Sequence, residues 1–263
     1  MRLAIASLVC LAAVGASAED MTITSKMTRD GGAPEITTSY IASDRMRVAQ
    51  PEGNEVILDL KSGDMTILDA RKKTYYVITQ KDIDDMAATI KEQMNSPEMK
   101  AAQEKMKNMP PDVQKRMQEM MGGAMAVSVE KTGTSRTIAG MRCENWTVAI
   151  GQMSKTEECL TNDLKLPPQS YDRYKKYMDS VHSMMASMGP MAKNFESMQE
   201  QMKKLKGYPI ATTTSTNIMG RRSSTTNEVT AVKYGPIPPS AWTIPAGYTK
   251  TDSPMKQAMS RRK

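Results

Sequence analysis

Three kinds of residue in this chain have the type and spacing to do chemistry: a pair of cysteines, a large set of methionines and one histidine. Cys143 lies in a strand-like run from Met141 to Ile150 and Cys159 in another from Ser154 to Thr161. A hairpin pivoting about Gly151 would set the two cysteines directly opposite each other, and a facing antiparallel pair has nearly the Cβ separation that a disulfide needs. The alternative is a redox or metal pair. That reading lacks a Cys-x-x-Cys spacing and a nearby histidine, so a structural disulfide is the simpler expectation.

Of 26 methionines, nine lie between Met86 and Met125 and seven between Met178 and Met202, against a single phenylalanine in the whole chain. In the second block Tyr174, Met178, Val181, Met185, Met188, Met191, Phe195, Met198, Met202 and Leu205 recur at steps of three and four, an apolar stripe broken where Gly189-Pro190 must kink a helix. Val113, Met117, Met120 and Met121 repeat the pattern over a shorter span. Such a stripe is ordinary core if the helices simply lie on a sheet. It becomes a ligand surface if the flexible, polarizable thioethers line a cavity, and that reading makes Met117, Met120, Met121, Met178, Met185, Met188, Met191, Phe195, Met198 and Met202 the ligand-binding candidates. A rival chemistry is Cu(I), for which thioether sulfur is a fitting soft ligand. Its candidates are Met185, Met188 and Met191 with His182 one helical turn before them.

Catalysis finds little support. His182 is the only histidine and has no acid or serine placed in sequence to use it. There is no phosphate-cradling glycine loop, no Gly-x-Ser-x-Gly elbow and no His-Glu-x-x-His. Asp84-Asp85 reads as a helix start, and Asn145-Trp146-Thr147 as a chance match to a glycosylation acceptor. No catalytic residue and no cofactor is expected, which points to a binding module and away from an enzyme.

The elements that must position these residues follow from the rest of the pattern. Met1-Arg2, the apolar run Leu3 to Val14 and the small residues Gly15-Ala16-Ser17-Ala18 form a secretory signal cleaved after Ala18, so a periplasmic, soluble mature protein is expected. Cys10 sits mid-run behind Leu8-Val9, which does not suit lipid attachment. Export also places the cysteines where thiols are oxidised. The formal net charge of +7 is spread among mixed acids and bases without a dense basic run, which argues against nucleic acid and leaves peripheral contact with anionic membranes open.

From Met21 to Gln80 short β-branched runs alternate with turns such as Ser62-Gly63-Asp64 and Arg71-Lys72-Lys73, the pattern of an antiparallel meander. Residues 82–121 are rich in helix formers and interrupted at Asn95-Ser96-Pro97 and Pro110-Pro111; a second helical block covers 169–206. Strand-like sequence lies between the blocks and again from Ile210 to Tyr234, about a turn at Gly220-Arg221. The expectation is one α+β domain over 19–250, with an antiparallel sheet, two helical insertions gathered on one side of it and a disordered basic tail over 251–263.

Ser43-Asp44-Arg45-Met46-Arg47, Ile57-Leu58-Asp59, Thr74-Tyr75-Tyr76, Gly140-Met141-Arg142-Cys143-Glu144-Asn145-Trp146 and Ile244-Pro245-Ala246-Gly247-Tyr248 resemble an uncharacterised bacterial envelope family. That family is similar to the periplasmic lipoprotein carrier superfamily of LolA-like carriers and RseB-like sensors, over about residues 20–250. The resemblance implies a strongly curved half-barrel with helices packed on its concave side, and a role in holding lipid acyl chains or another apolar small molecule. It carries no catalytic residue across. A structural or stress-related protein that meets envelope proteins without a small ligand is the remaining reading.

Overall fold

The computed structural model describes residues 20–49, 53–110, 112–113, 126–167, 169–170, 172–175, 192–218, 220–254 and 256–257. Twelve strands form one sheet: β1 (Met21–Arg29), β2 (Glu35–Ile41), β3 (Arg45–Ala49), β4 (Asn54–Asp59), β5 (Met65–Asp69), β6 (Thr74–Ile78), β7 (Val127–Ile138), β8 (Met141–Ile150), β9 (Ser154–Thr161), β10 (Tyr208–Ile218), β11 (Arg221–Tyr234) and β12 (Thr249–Lys250). Their order across the sheet is β12-β6-β5-β4-β3-β2-β1-β11-β10-β9-β8-β7. Every pair is antiparallel except β12, which joins β6 in parallel. The first six strands are a meander in which each hairpin sets the next register, and β7 to β11 are a second one. The long-range pairing of β1 with β11 welds the two together.

Three described helices accompany the sheet: α1 (Gln80–Met94), α2 (Pro97–Lys107) and α3 (Ala192–Met202). Thr79 caps α1 in a reciprocal box, its hydroxyl accepting from Asp82 N at 3.1 Å while Asp82 accepts from Thr79 N at 2.9 Å. Asn95-Ser96-Pro97 separates α1 from α2 because Pro97 can only begin a helix. None of the described helices is long and apolar enough to cross a membrane.

This architecture corrects the expected half-barrel. The sheet is open: no pairing joins its ends β12 and β7, so it is neither closed nor wound into a strongly curved shell. The described helices do not fill a concavity either. Their main contact with the sheet is α3 against β7, a strand at one edge. Hairpin turns make next-neighbour pairing cheap, so strands add sideways in an extending meander, and an open order needs no shear that would bring the edges together.

The hairpin that carries the cysteines also differs from expectation. Ile150 pairs with Ser154 and Glu144 with Leu160, so the loop is Gly151-Gln152-Met153 and its pivot is Gln152. Cys159 therefore faces Asn145. Cys143 and Cys159 are nevertheless joined as a disulfide, with Cα atoms 5.3 Å apart. Right-handed twist shortens one diagonal of an antiparallel pair, and the bond uses that diagonal.

The main core gathers Met21, Ile23, Ile41, Ile138, the two cysteines, Leu164, Ile210, Ala211 and Val229. A smaller one, of Ala42, Ile237 and Ala241 with Tyr40 and Trp242, forms where the 3-10 turn Pro239–Trp242 lies on the early strands. Arg47 secures this turn. Although buried, it donates to Ala241 O at 2.8 Å and to Thr243 O at 3.4 Å, and its charge is met by Glu55.

Candidate functional site

Direct cross-strand partners share a face of the sheet, so the strand register defines rows of side chains across it. One row runs Tyr234, Met21, Ile41, Met46, Leu58, Met65, Ile78 across β11 and β1 to β6. All seven are apolar or aromatic. Two residues along β3 to β6, on the same face, comes Val48, Val56, Ile67, Tyr76. Met21 and Ile41 are essentially inaccessible, but Met46, Val56, Met65, Ile67, Tyr76 and Ile78 are only half-buried and Val48 is exposed. Leu58 is buried as well and Tyr234 is exposed, so the Met21 face is sealed at β1, β2 and Leu58 and half-open over the rest of β3 to β6.

Further along the same face, on the other side of β1, the chemistry changes. Met27, Asn227, Thr212, Glu158, Trp146 and Lys131 form one continuous row across β1, β11, β10, β9, β8 and β7. Met27 is buried, and Val229 and Leu160, two residues along from Asn227 and Glu158, are buried apolar neighbours. Asn227 Oδ1 is buried and accepts no hydrogen bond among the described residues. Glu158 has neither a hydrogen bond nor an ion pair among the described residues, and burial alone pushes its carboxyl above the ordinary glutamate value. Lys131 does not relieve it: its ammonium sits 2.7 Å from Glu144 and over the Trp146 ring at 5.9 Å.

Two clefts lie elsewhere. One of about 720 Å³, among the turns β1–β2, β8–β9 and β10–β11, is lined by Asp30, Lys155 and Arg222 with several serine and threonine hydroxyls. The other, about 410 Å³, opens where β2 and β3 diverge and is lined by Glu35, Thr37, Thr38, Arg47, Asn54 and Glu55 among others. The second, with two glutamates and an arginine in a mainly polar wall, does not suit an apolar ligand.

Met117, Met120, Met121, Met178, Met185, Met188 and Met191 lie outside the described residues, as does His182 and with it the Cu(I) set. Phe195 falls within α3, Met198 is half-buried there, and Met202 at its end is exposed. Among the described residues no three His, Cys, Asp or Glu side chains gather as a metal site. The polar row was not singled out from sequence, although a signal existed: in Thr156-Glu157-Glu158-Cys159-Leu160, alternation must turn one glutamate to the same face as Leu160.

Residues 78–248 match the family described as a domain of unknown function, DUF4412. The chain belongs to the DUF4412 family. The matched span starts at the end of β6 and includes the polar row from β7 to β11 but not the meander that carries most of the apolar rows. A comparison with curated proteins finds no significant match. Among solved structures the DUF4412 chain is similar to PNGF-II, with 11% identity and a TM-score of 0.40, over 92% of this chain and 32% of that one. It therefore spans about a third of PNGF-II. MucB, solved in complex with MucA(peri), is similar at 11% identity and TM-score 0.30, over 87% of this chain and 54% of MucB. A LolA superfamily protein from Nitrosomonas europaea is similar at 6% identity and TM-score 0.28, over 87% of this chain and 91% of that one.

Proposed function

We propose that this DUF4412 protein is an exported, non-enzymatic binding module that holds an apolar ligand, a lipid or acyl chain, on the Met21 face of its sheet. The observation that carries the reading is the seven-strand apolar row from Tyr234 to Ile78 with the half-buried row Val48, Val56, Ile67, Tyr76 beside it. A contiguous apolar face of this extent, left half-open, marks a place where something apolar is bound. The methionine blocks follow and flank these strands in sequence and would supply an adaptable cover. Residues 1–18, read as a secretory signal, support a periplasmic site of action. Contact with other envelope proteins fits the same location.

The test is saturation binding of the uncharged fluorescent probe N-phenyl-1-naphthylamine to the purified protein. Val48→Asp places a charge on the proposed face at an already exposed position, and Ile36→Asp places one at a residue 67% exposed on the opposite face. The reading predicts saturable binding that Val48→Asp weakens at least tenfold and Ile36→Asp leaves unchanged. Absence of probe binding, or equal loss in both variants, would contradict it.

A further inference from the structure

The polar row next to the apolar face has an unusual bias. Among the described residues Asn227 presents a buried carbonyl oxygen with no donor, and Glu158 a half-buried carboxylate with no cation beside it. Between them stands the Thr212 side chain, one strand from each, so the two acceptors project from the same face about 10 Å apart at the backbone. Met27 closes one end of this group and the Trp146 ring the other. A buried acceptor without a donor is costly, which applies to Asn227 Oδ1, while the half-buried Glu158 carboxylate remains open to a ligand from solvent. The nearest described cation on the row, Lys131, is engaged with Glu144.

We infer that the Asn227, Thr212 and Glu158 row binds the ammonium head of an amphiphile, a primary amine attached to an apolar chain that continues along the Met21 face. This rests on the apolar-binding reading above and names the head group that such a ligand carries. An ammonium offers three hydrogens, matching a carboxylate, a carboxamide oxygen and a hydroxyl lone pair, and its charge is met by Glu158. The Trp146 ring, which already holds the Lys131 ammonium at 5.9 Å, bounds the site on that side. A fatty acid would bring a second carboxylate beside Glu158 and be repelled, while a long-chain alcohol would bring one donor and no charge.

Chains of equal length separate these cases. Dodecylammonium, dodecanoate and dodecanol, each below its micelle concentration at pH 7, compete for the bound naphthylamine probe. The protein carries a formal net charge of +7, so unspecific surface electrostatics would favour dodecanoate, the opposite of the order inferred here. The expected result is displacement by dodecylammonium at a concentration at least tenfold lower than dodecanoate, with dodecanol between them. In Glu158→Gln the amine-to-acid ratio should fall below threefold while dodecanol is unaffected, and Asn227→Leu should weaken the amine alone. Equal displacement by all three, or an undiminished amine preference in both variants, overturns the head-group assignment and leaves the apolar-binding reading standing. A protein that binds no probe and no dodecyl chain overturns both.

Discussion

Cys159 stands opposite Asn145 in the β8–β9 ladder, yet it is bonded to Cys143, two residues away along the partner strand. The bond closes a loop spanning a sequence separation of 16. It also fastens two strands whose inner residues, Cys143 and Cys159 themselves, are among the least accessible in the molecule. In the chain-entropy account a loop of this size contributes about 3 kcal/mol. The double variant Cys143→Ser, Cys159→Ser should lose about that much in urea unfolding and keep the strand signature in circular dichroism. An unchanged midpoint would mean that the staple adds nothing to the native state.

Arg47 is the second long-range tie, joining β3 to a turn 194 residues away. Removing its side chain leaves Glu55 without its cation and two carbonyls, of Ala241 and Thr243, without their donor. Leaving a buried acceptor such as Ala241 O without its donor costs about 1–3 kcal/mol, and the part-buried pair with Glu55 adds to it. Arg47→Met should unfold at correspondingly lower urea. Arg47→Lys should recover only part of the loss, since a single ammonium cannot replace a fork that serves a carboxylate and two carbonyls. Full recovery by lysine would show that charge alone matters there.

Two carboxylates should make stability depend on pH in opposite senses. Hydrogen bonds from Arg45 and then Lys61 hold the Asp44 carboxyl well below the ordinary aspartate range. A depressed folded value means stability that is fully present above the unfolded pKa of about 4 and is lost as pH falls through the folded one. Asp44→Asn should therefore cost about 1 kcal/mol at pH 7 and progressively less in strong acid. Glu158 is raised by burial, so its charged form is disfavoured in the fold and stability is lost as pH rises from about 4 through the folded value. Glu158→Gln should be the more stable protein at pH 7.5 and equal to the parent near pH 4. Denaturant midpoints at three pH values measure both, and parallel profiles for parent and variant would contradict the assignment.

Gly207 enters β10 with φ of +113°, and a Cβ built there would lie 2.6 Å from Thr161 O. The obstacle is backbone of a paired strand, which has no way to swing aside. Gly207→Ala should destabilise by about 1–3 kcal/mol. Gly220, with open space around its missing Cβ, should tolerate alanine better despite its own positive φ. Equal effects at the two positions would show that backbone strain alone decides.

Local pattern made much of the scaffold legible. The alternation of Val56, Leu58 and Leu60, the turns at Gly63 and Lys73, and the breaks at Pro97 and Gly220 each correspond to an observed strand, turn or helix boundary. The shape of the sheet was not legible, because whether a meander closes depends on accumulated twist and shear that no single hairpin encodes. The hairpin at Gly151-Gln152-Met153 shows the same limit on a small scale: a pivot one residue later moved the register by two and put the disulfide on a diagonal. The candidate site divided similarly. Its apolar rows are the sum of strand alternations, readable one at a time. The meeting of Asn227, Thr212 and Glu158 depends on pairing between β11, β10 and β9, which brings Glu158 opposite Thr212 from far apart in the sequence. Glu158 itself is legible from strand alternation, which turns it to the face of Leu160.

The most direct measurement is native mass spectrometry of the protein purified gently from a bacterial envelope extract. The account predicts a discrete adduct of lipid-like mass that organic solvent removes and that Val48→Asp abolishes. Only the bare polypeptide mass from the parent protein, under conditions in which a known lipid-binding control retains its ligand, would contradict it.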